Sequence, residues 1–413
     1  MPARASERTL LFLVGAVQFV NILDFMMVMP LGPDFAVGLG IPTSTLGLVG
    51  GAYTAAAAVS GVVGAAFLDR FDRRKALAVA MLGLVVATAS GGLATGLGTM
   101  VAARIAAGAF GGPATSLSLS IVADAVPAER RGKALGAVMG AFSFASVLGV
   151  PAGLRLATWG SWRTPFFSVA GLGLLVAGAA LVSMPAMTGH LARARAQARA
   201  PLSALLGQPV ALLSLCATAA SMMSGFAIIP NISAHLQRNL GYPRGRLELL
   251  YMAGGAVSFL VLRLAGRAVD RAGAPRVSAV GTAIFASVML LVFAFPPPGL
   301  PVVAAFVAFM IGNSLRNVAN NTLSSRVPAP AERARFMSAQ SAVQHLASSL
   351  GAVLSTRLLH DGVDGRLEGI RQVAFFSAGL SLAVPVLLGA VAAGLARRDG
   401  RADSGPHPAV AME

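Results

Sequence analysis

Residues Thr9–Leu31 read TLLFLVGAVQFVNILDFMMVMPL, an apolar run carrying a single acid, Asp24. About 20 apolar residues rising ~1.5 Å each cover the ~30 Å hydrocarbon layer of a bilayer, so this run is long enough to span one as a helix. An ionised acid at that depth costs at least ~2.5 kcal/mol, so Asp24 needs a partner, a water-filled cavity or a proton. A carboxylate that must choose between a proton and a partner is what ion-coupled transport requires.

The rest of the chain repeats the pattern. Mean hydropathy is +0.74 over the chain. Only 12% of the 413 residues are charged, against about 25% in soluble domains. Twelve spans are predicted, at roughly 9–31, 45–68, 76–95, 98–122, 134–154, 165–185, 209–231, 249–266, 277–295, 302–323, 336–356 and 372–395. Spans four and ten read as the least apolar. The runs are too long for barrel strands and lack period-2 alternation, so they are helices. The net charge of +16 does not point to nucleic acid, because the Lys and Arg residues lie in short loops between spans. Most fall in the segments that share a side with Arg4 and Arg8, which places both termini in the cytoplasm. The lone Cys216 excludes an internal disulfide and reads as a packing residue.

The two halves repeat. LDRFDRRKAL from Leu68 matches VDRAGAPRV from Val269, and DAVPAERRGKA matches SRVPAPAERAR. Asp69 and Asp270 are separated by the same interval as Val126 and Val327. The expected layout is a short cytoplasmic N-terminus at 1–8, six spans over 9–185, a cytoplasmic linker at 186–208, six more spans over 209–396, and a disordered cytoplasmic tail at 397–413. Gly108–Gly112 and Gly149–Gly153 offer small-residue seams for close helix approach.

These motifs resemble the major facilitator superfamily, and within it the twelve-span drug–proton antiporters. The family's G-x-x-x-D-R-x-G-R-R loop appears as Ala65 to Arg74, with Ala65 and Asp72 in place of the two glycines. The second copy keeps both, as Gly266 and Gly273 around Asp270 and Arg271. Arg104-Ile-Ala-Ala-Gly108 matches the helix 4 motif, and Gly149-Val-Pro151-Ala-Gly153 is a degraded form of the helix 5 motif. The resemblance implies an all-α polytopic membrane protein, with twelve helices in two pseudo-symmetric six-helix bundles around a central cavity. It also implies a secondary transporter of the bacterial inner membrane, working by alternating access as a monomer. Its expected partners are a small, amphipathic substrate, protons and the lipid bilayer, with no enzyme activity, cofactor or metal. Proton-driven efflux, as in multidrug resistance, is the expected direction. The alternatives are transport of one polar solute (a sugar, siderophore or metabolite) and a non-transporting membrane sensor.

Individual residues then take roles. Asp24 and Arg104 sit at comparable depth and are the expected proton-coupling pair. Asn21 and Phe25 share a face with Asp24 by i, i+3, i+4 spacing. Asn313, Arg316, Asn317 and Asn320 form one stripe on span ten; Gln340 and Gln344 form an i, i+4 pair on span eleven. Such stripes must turn away from lipid, to bind substrate or to bond a neighbouring helix. Asp69, Arg70, Arg73, Arg74, Asp270 and Arg271 read as gate latches, with Gly149, Pro151 and Gly153 as helix 5 gating positions. Met26, Met27, Met29, Met222 and Met223 read as a soft surface for apolar ligands or as gap fillers. Gly132-Lys133 is followed by Ala134, so the phosphate-binding loop of an ATPase is excluded.

Overall fold

A computed structural model of the chain describes residues 7–188, 207–329 and 332–403. Twelve long helices follow one another: α1 Glu7–Val28, α2 Leu46–Phe67, α3 Arg73–Gly92, α4 Leu97–Ala125, α5 at 128–159 and α6 Thr164–Ser183 form one half. The second half is α7 Pro209–Arg238, α8 Leu247–Ala272, α9 Ala274–Ala294, α10 Val302–Ser324, α11 Arg333–Leu358 and α12 Ile370–Asp403. Eleven of these are long and apolar enough to cross a membrane. The exception is α11, more polar than the expected weak spans four and ten. It packs between α2 and α7. By contrast α6, with no charged residue, exposes Leu175 and Val182 on the perimeter.

Three helices are interrupted. A π-turn occupies Ala145–Gly149 in α5 and another Met289–Ala294 in α9. In α7 the helix tightens to a 3-10 turn at Ile229–Asn231, where Pro230 has no N–H to give. Asn231 repairs the break by donating to the Ala227 carbonyl and to Ser355 Oγ of α11. The last helix continues to Asp403, past the expected helix end at 396. Arg398 accounts for part of this, since its guanidinium donates to the carbonyls of Val327 and Arg326, and cations suit a helix C-terminus. The remainder of the expected tail and residues 189–206 of the expected linker lie outside the described residues.

Both described ends of the chain lie at one end of the bundle, because the helix count is even. The far end carries the loops near residues 29–45, 160–163, 239–246, 295–301 and 359–369. There a short helix, Gly32–Leu39, follows α1, and a hairpin of β1 His360–Asp361 and β2 Leu367–Glu368 joins α11 to α12.

The halves meet along two seams, α2 with α11 and α5 with α8. Glycines set how close they come. Gly47 lies against the Ala352 carbonyl, and a Cβ on it would sit 2.7 Å from Ser355 Oγ. A Cβ on Gly51 would be 3.2 Å from the Ser349 carbonyl, and one on Gly255 would be 2.6 Å from that of Ser146. Small residues allow this contact where lipid provides no hydrophobic drive between helices.

Candidate functional site

Asp24 is wholly buried at the centre of the first half. Arg104 of α4 reaches it with both terminal nitrogens: Nη1 donates to Oδ1 at 3.1 Å and Nη2 to Oδ2 at 3.0 Å. Thr88 of α3 donates to the same Oδ1 at 2.8 Å. The Arg104 guanidinium also lies 4.7 Å from the Tyr53 ring centre. Four helices thus converge on one carboxylate. Fork-to-fork pairing joins the two buried charges, leaving Arg104 Nε without a hydrogen-bond partner among the described residues. The i, i+4 and i, i+7 relations of Arg104 to Gly108 and Gly111 make this possible. Those glycines hold α4 against Tyr53, so the arginine lies level with the acid.

Asn21, expected to face substrate, is engaged within the first half. It is buried, donates to the Gly111 carbonyl at 3.0 Å and Thr115 Oγ1 at 2.7 Å, and accepts from Tyr53 Oη at 2.9 Å. An amide with its donors and acceptor engaged fastens α1 to α2 and α4. Phe25 does reach the interface between the halves. It is half-buried, 5.0 Å from Tyr53 and 6.0 Å from Phe226 of α7.

The span-ten stripe packs on α7 within the second half. Ser214 bonds Ser324 at 2.8 Å, and Asn320 donates to Thr218 at 3.0 Å. Arg316 donates to Ser224 Oγ at 2.6 Å and to the Ser221 carbonyl at 3.4 Å. Asn313 stands opposite Gly225. Asn320 is therefore a buried zipper residue and not a surface for solute. Asn313, Asn317 and Gln344 remain half-buried, while Gln340 is buried.

Two cations of the basic loop after α2 bond within their own half. Arg73 pairs with Asp124 at the end of α4 at 2.7 Å, and Arg74 donates to the Met184 carbonyl. Asp72, where the family pattern has glycine, caps α3 by accepting from Arg74 N and also takes the Met187 N–H. Arg70, Asp270 and Arg271 are exposed. The side chain of Asp69 lies outside the described residues. Gly149 and Gly153 face Leu23 and Met27 of α1, and Pro151 is buried beside them. Met27 and Met29 are core residues, not a surface for ligand.

Sequence reasoning did not find the ties across the far end. Asp34 takes a two-pronged contact from Arg244, with Nη2 to Oδ2 at 2.6 Å. Asp361 accepts the Thr43 and Ser44 N–H groups at 2.8 and 2.9 Å and pairs with Arg238. Glu248 pairs with Arg155 at 3.2 Å. The Asp34–Arg244, Asp361–Thr43/Ser44 and Glu248–Arg155 ties join one half to the other, so the far end is closed, while Asp361–Arg238 lies within the second half. A crevice of about 640 Å³ runs along α2 against α4 and α11. Its walls, including Ala52, Val59, Ile105 and Val353, are apolar, with Val59 and Ile105 exposed on the perimeter.

The sequence profile of the Major Facilitator Superfamily matches residues 14–352 and 214–410. The chain belongs to the major facilitator superfamily. It is a multi-pass membrane transporter of small molecules and not an enzyme. It is 30% identical over 275 residues to the chloramphenicol resistance protein of Streptomyces lividans, covering 66% of this chain and 69% of that one. It is 28% identical to multidrug resistance protein 2 of Bacillus subtilis, over 41% of this chain and 42% of the relative. Among solved structures, a bacterial homologue of the human lysosomal transporter Spinster, inward-facing and occupied, superposes with a TM-score of 0.74 at 16% identity, covering 93% of this chain and 96% of that one. The D-xylose–proton symporter gives 0.70 at 18% identity, covering 92% and 96%. At these identities the structural likeness concerns the fold.

Proposed function

We propose that this transporter exports small amphipathic molecules, drug-like compounds or metabolites, across a bacterial inner membrane in exchange for inward-moving protons. The carrying observation is the wholly buried Asp24–Arg104 pair. The resistance proteins among its relatives support the substrate class. With both termini cytoplasmic, the far end is the outer face, closed by the Asp34, Asp361 and Glu248 ties. When those ties open, a proton reaching Asp24 neutralises it and releases Arg104 from the carboxylate. Losing that attraction changes the packing of α1 against α4, which biases the halves toward the opposite opening. Phe25 and Phe226, with Asn313 opposite neighbouring Gly225, form the surface offered to substrate. The protein works as a monomer in this account. Transport of one specific polar solute draws less support, because Asn21 and Asn320 are engaged in the fold.

The test is uptake of a fluorescent lipophilic cation into inside-out vesicles with an acidic lumen. An imposed pH gradient should raise accumulation about tenfold or more, a protonophore should abolish it, and unrelated lipophilic compounds should compete. Accumulation indifferent to the gradient, or blind to all competitors, would overturn the proposal.

A further inference from the structure

Each half holds one wholly buried arginine, Arg104 in the first and Arg316 in the second. Only Arg104 has a carboxylate. The interval that separates Asp69 from Asp270 takes Asp24 to Gly225 and Arg104 to Ala305, so the second half keeps neither member of that pair and Arg316 stands at a position of its own. Among the described residues no acid pairs with Arg316. Its contacts are Ser224 Oγ, the Ser221 carbonyl and the face of Phe285, 4.2 Å from the guanidinium. Its Nε and Nη1 have no hydrogen-bond partner among the described residues. On the adjoining helices α7 and α9, two buried hydroxyls also lack a hydrogen-bond partner among the described residues. Ser221 Oγ belongs to the residue whose carbonyl Arg316 already reaches. Thr282 Oγ1 lies on α9 next to Gly281, where a Cβ would come 3.1 Å from the Arg316 backbone nitrogen.

A buried guanidinium with no counter-charge is costly, and each buried donor left unpaired adds to that cost. Surplus hydrogen-bond donors and one uncompensated positive charge together fit a negative ligand. We infer that Arg316, with Ser221 and Thr282, forms a binding site for a small monovalent anion. That anion is either a halide resident in the second half or the carboxylate of a transported solute. Half-buried Asn313 and Asn317 flank Arg316 on α10 and provide a polar approach from the interface between the halves. The inference deepens the proposed substrate surface and rests on that reading only where the anion is a solute's carboxylate. It makes no use of proton coupling.

Equilibrium measurement without any gradient keeps the two proposals apart. The purified transporter is titrated with sodium chloride, or with sodium benzoate as a monocarboxylate probe. The sodium salt of HEPES, a bulky sulfonate, maintains ionic strength, and thermal unfolding is the readout. A ligand bound only by the folded state raises Tm in a saturable way. The expected result is a saturable rise of a few degrees that is lost in Arg316→Gln. A rise with chloride identifies a resident halide; a rise with benzoate alone identifies a solute carboxylate. If Arg316→Gln does not fold, Arg316→Lys keeps the charge but loses the planar fork, and the half-saturating concentration should rise about tenfold. A wild-type protein indifferent to both anions, or a response unchanged in the variants, would overturn the inference.

Discussion

Asp24→Asn should abolish uphill accumulation in proteoliposomes while leaving downhill exchange of the same substrate measurable. Asparagine keeps an oxygen in place of Oδ1, so the 2.8 Å bond from Thr88 and one Arg104 contact can persist. It removes the charge and with it any reason to bind a proton. The variant therefore resembles the neutral form that the cycle would itself visit. One proton falling through 100 mV releases about 2.3 kcal/mol, enough for roughly a 50-fold concentration ratio. In the variant that ratio should fall to about one. Full uphill pumping by Asp24→Asn would remove Asp24 from the coupling mechanism.

Gly47→Leu should trap the halves apart at the far end and stop transport without unfolding either bundle. Gly47 opens α2 at the seam with α11, against the Ala352 carbonyl, and backbone cannot move aside as a side-chain tip can. Overpacking of this kind costs about 1–3 kcal/mol. Here the cost falls only on the state in which the far end is closed. Each 1.4 kcal/mol changes a two-state ratio about tenfold, so the closed form should become a minor one. Nitroxide labels at Ser161 and Val363, exposed far-end sites on opposite halves, give the readout by electron–electron distance. The distance distribution should lengthen and transport should fall in parallel. An unchanged distribution with normal transport would show that the seam is not a moving contact.

The twelve-helix layout was legible because lipid demands long apolar runs and the loop arginines mark their ends. Even α11, the most polar, was located by the regular alternation of loops. The Asp24–Arg104 pair was legible for a related reason: a lone acid and a lone base at matching depth in an apolar medium must find each other. What the sequence hid depends on contact between distant segments. Asn21 has the composition of a binding residue, and only the approach of α2 and α4 engages its amide. Asn320 and Arg316 share a stripe with Asn313, yet α7 covers the first two and leaves the third half-buried. Helix periodicity says which residues share a face, and packing decides what covers it. The interruptions in α5, α7 and α9 were equally unreadable, apart from Pro230. The Asp34–Arg244 and Asp361–Arg238 ties join residues far apart in the chain and show no local pattern.

The central claim is that Asp24 exchanges Arg104 for a proton during transport. Infrared difference spectroscopy on reconstituted protein, stepped from alkaline to acidic buffer, observes that event directly through the C=O stretch of a protonated carboxylic acid. A band should appear on acidification in the wild type, sharpen or shift when substrate is added, and be missing from Asp24→Asn. The same band in the variant, or no such band in wild-type protein that is actively transporting, would contradict the claim.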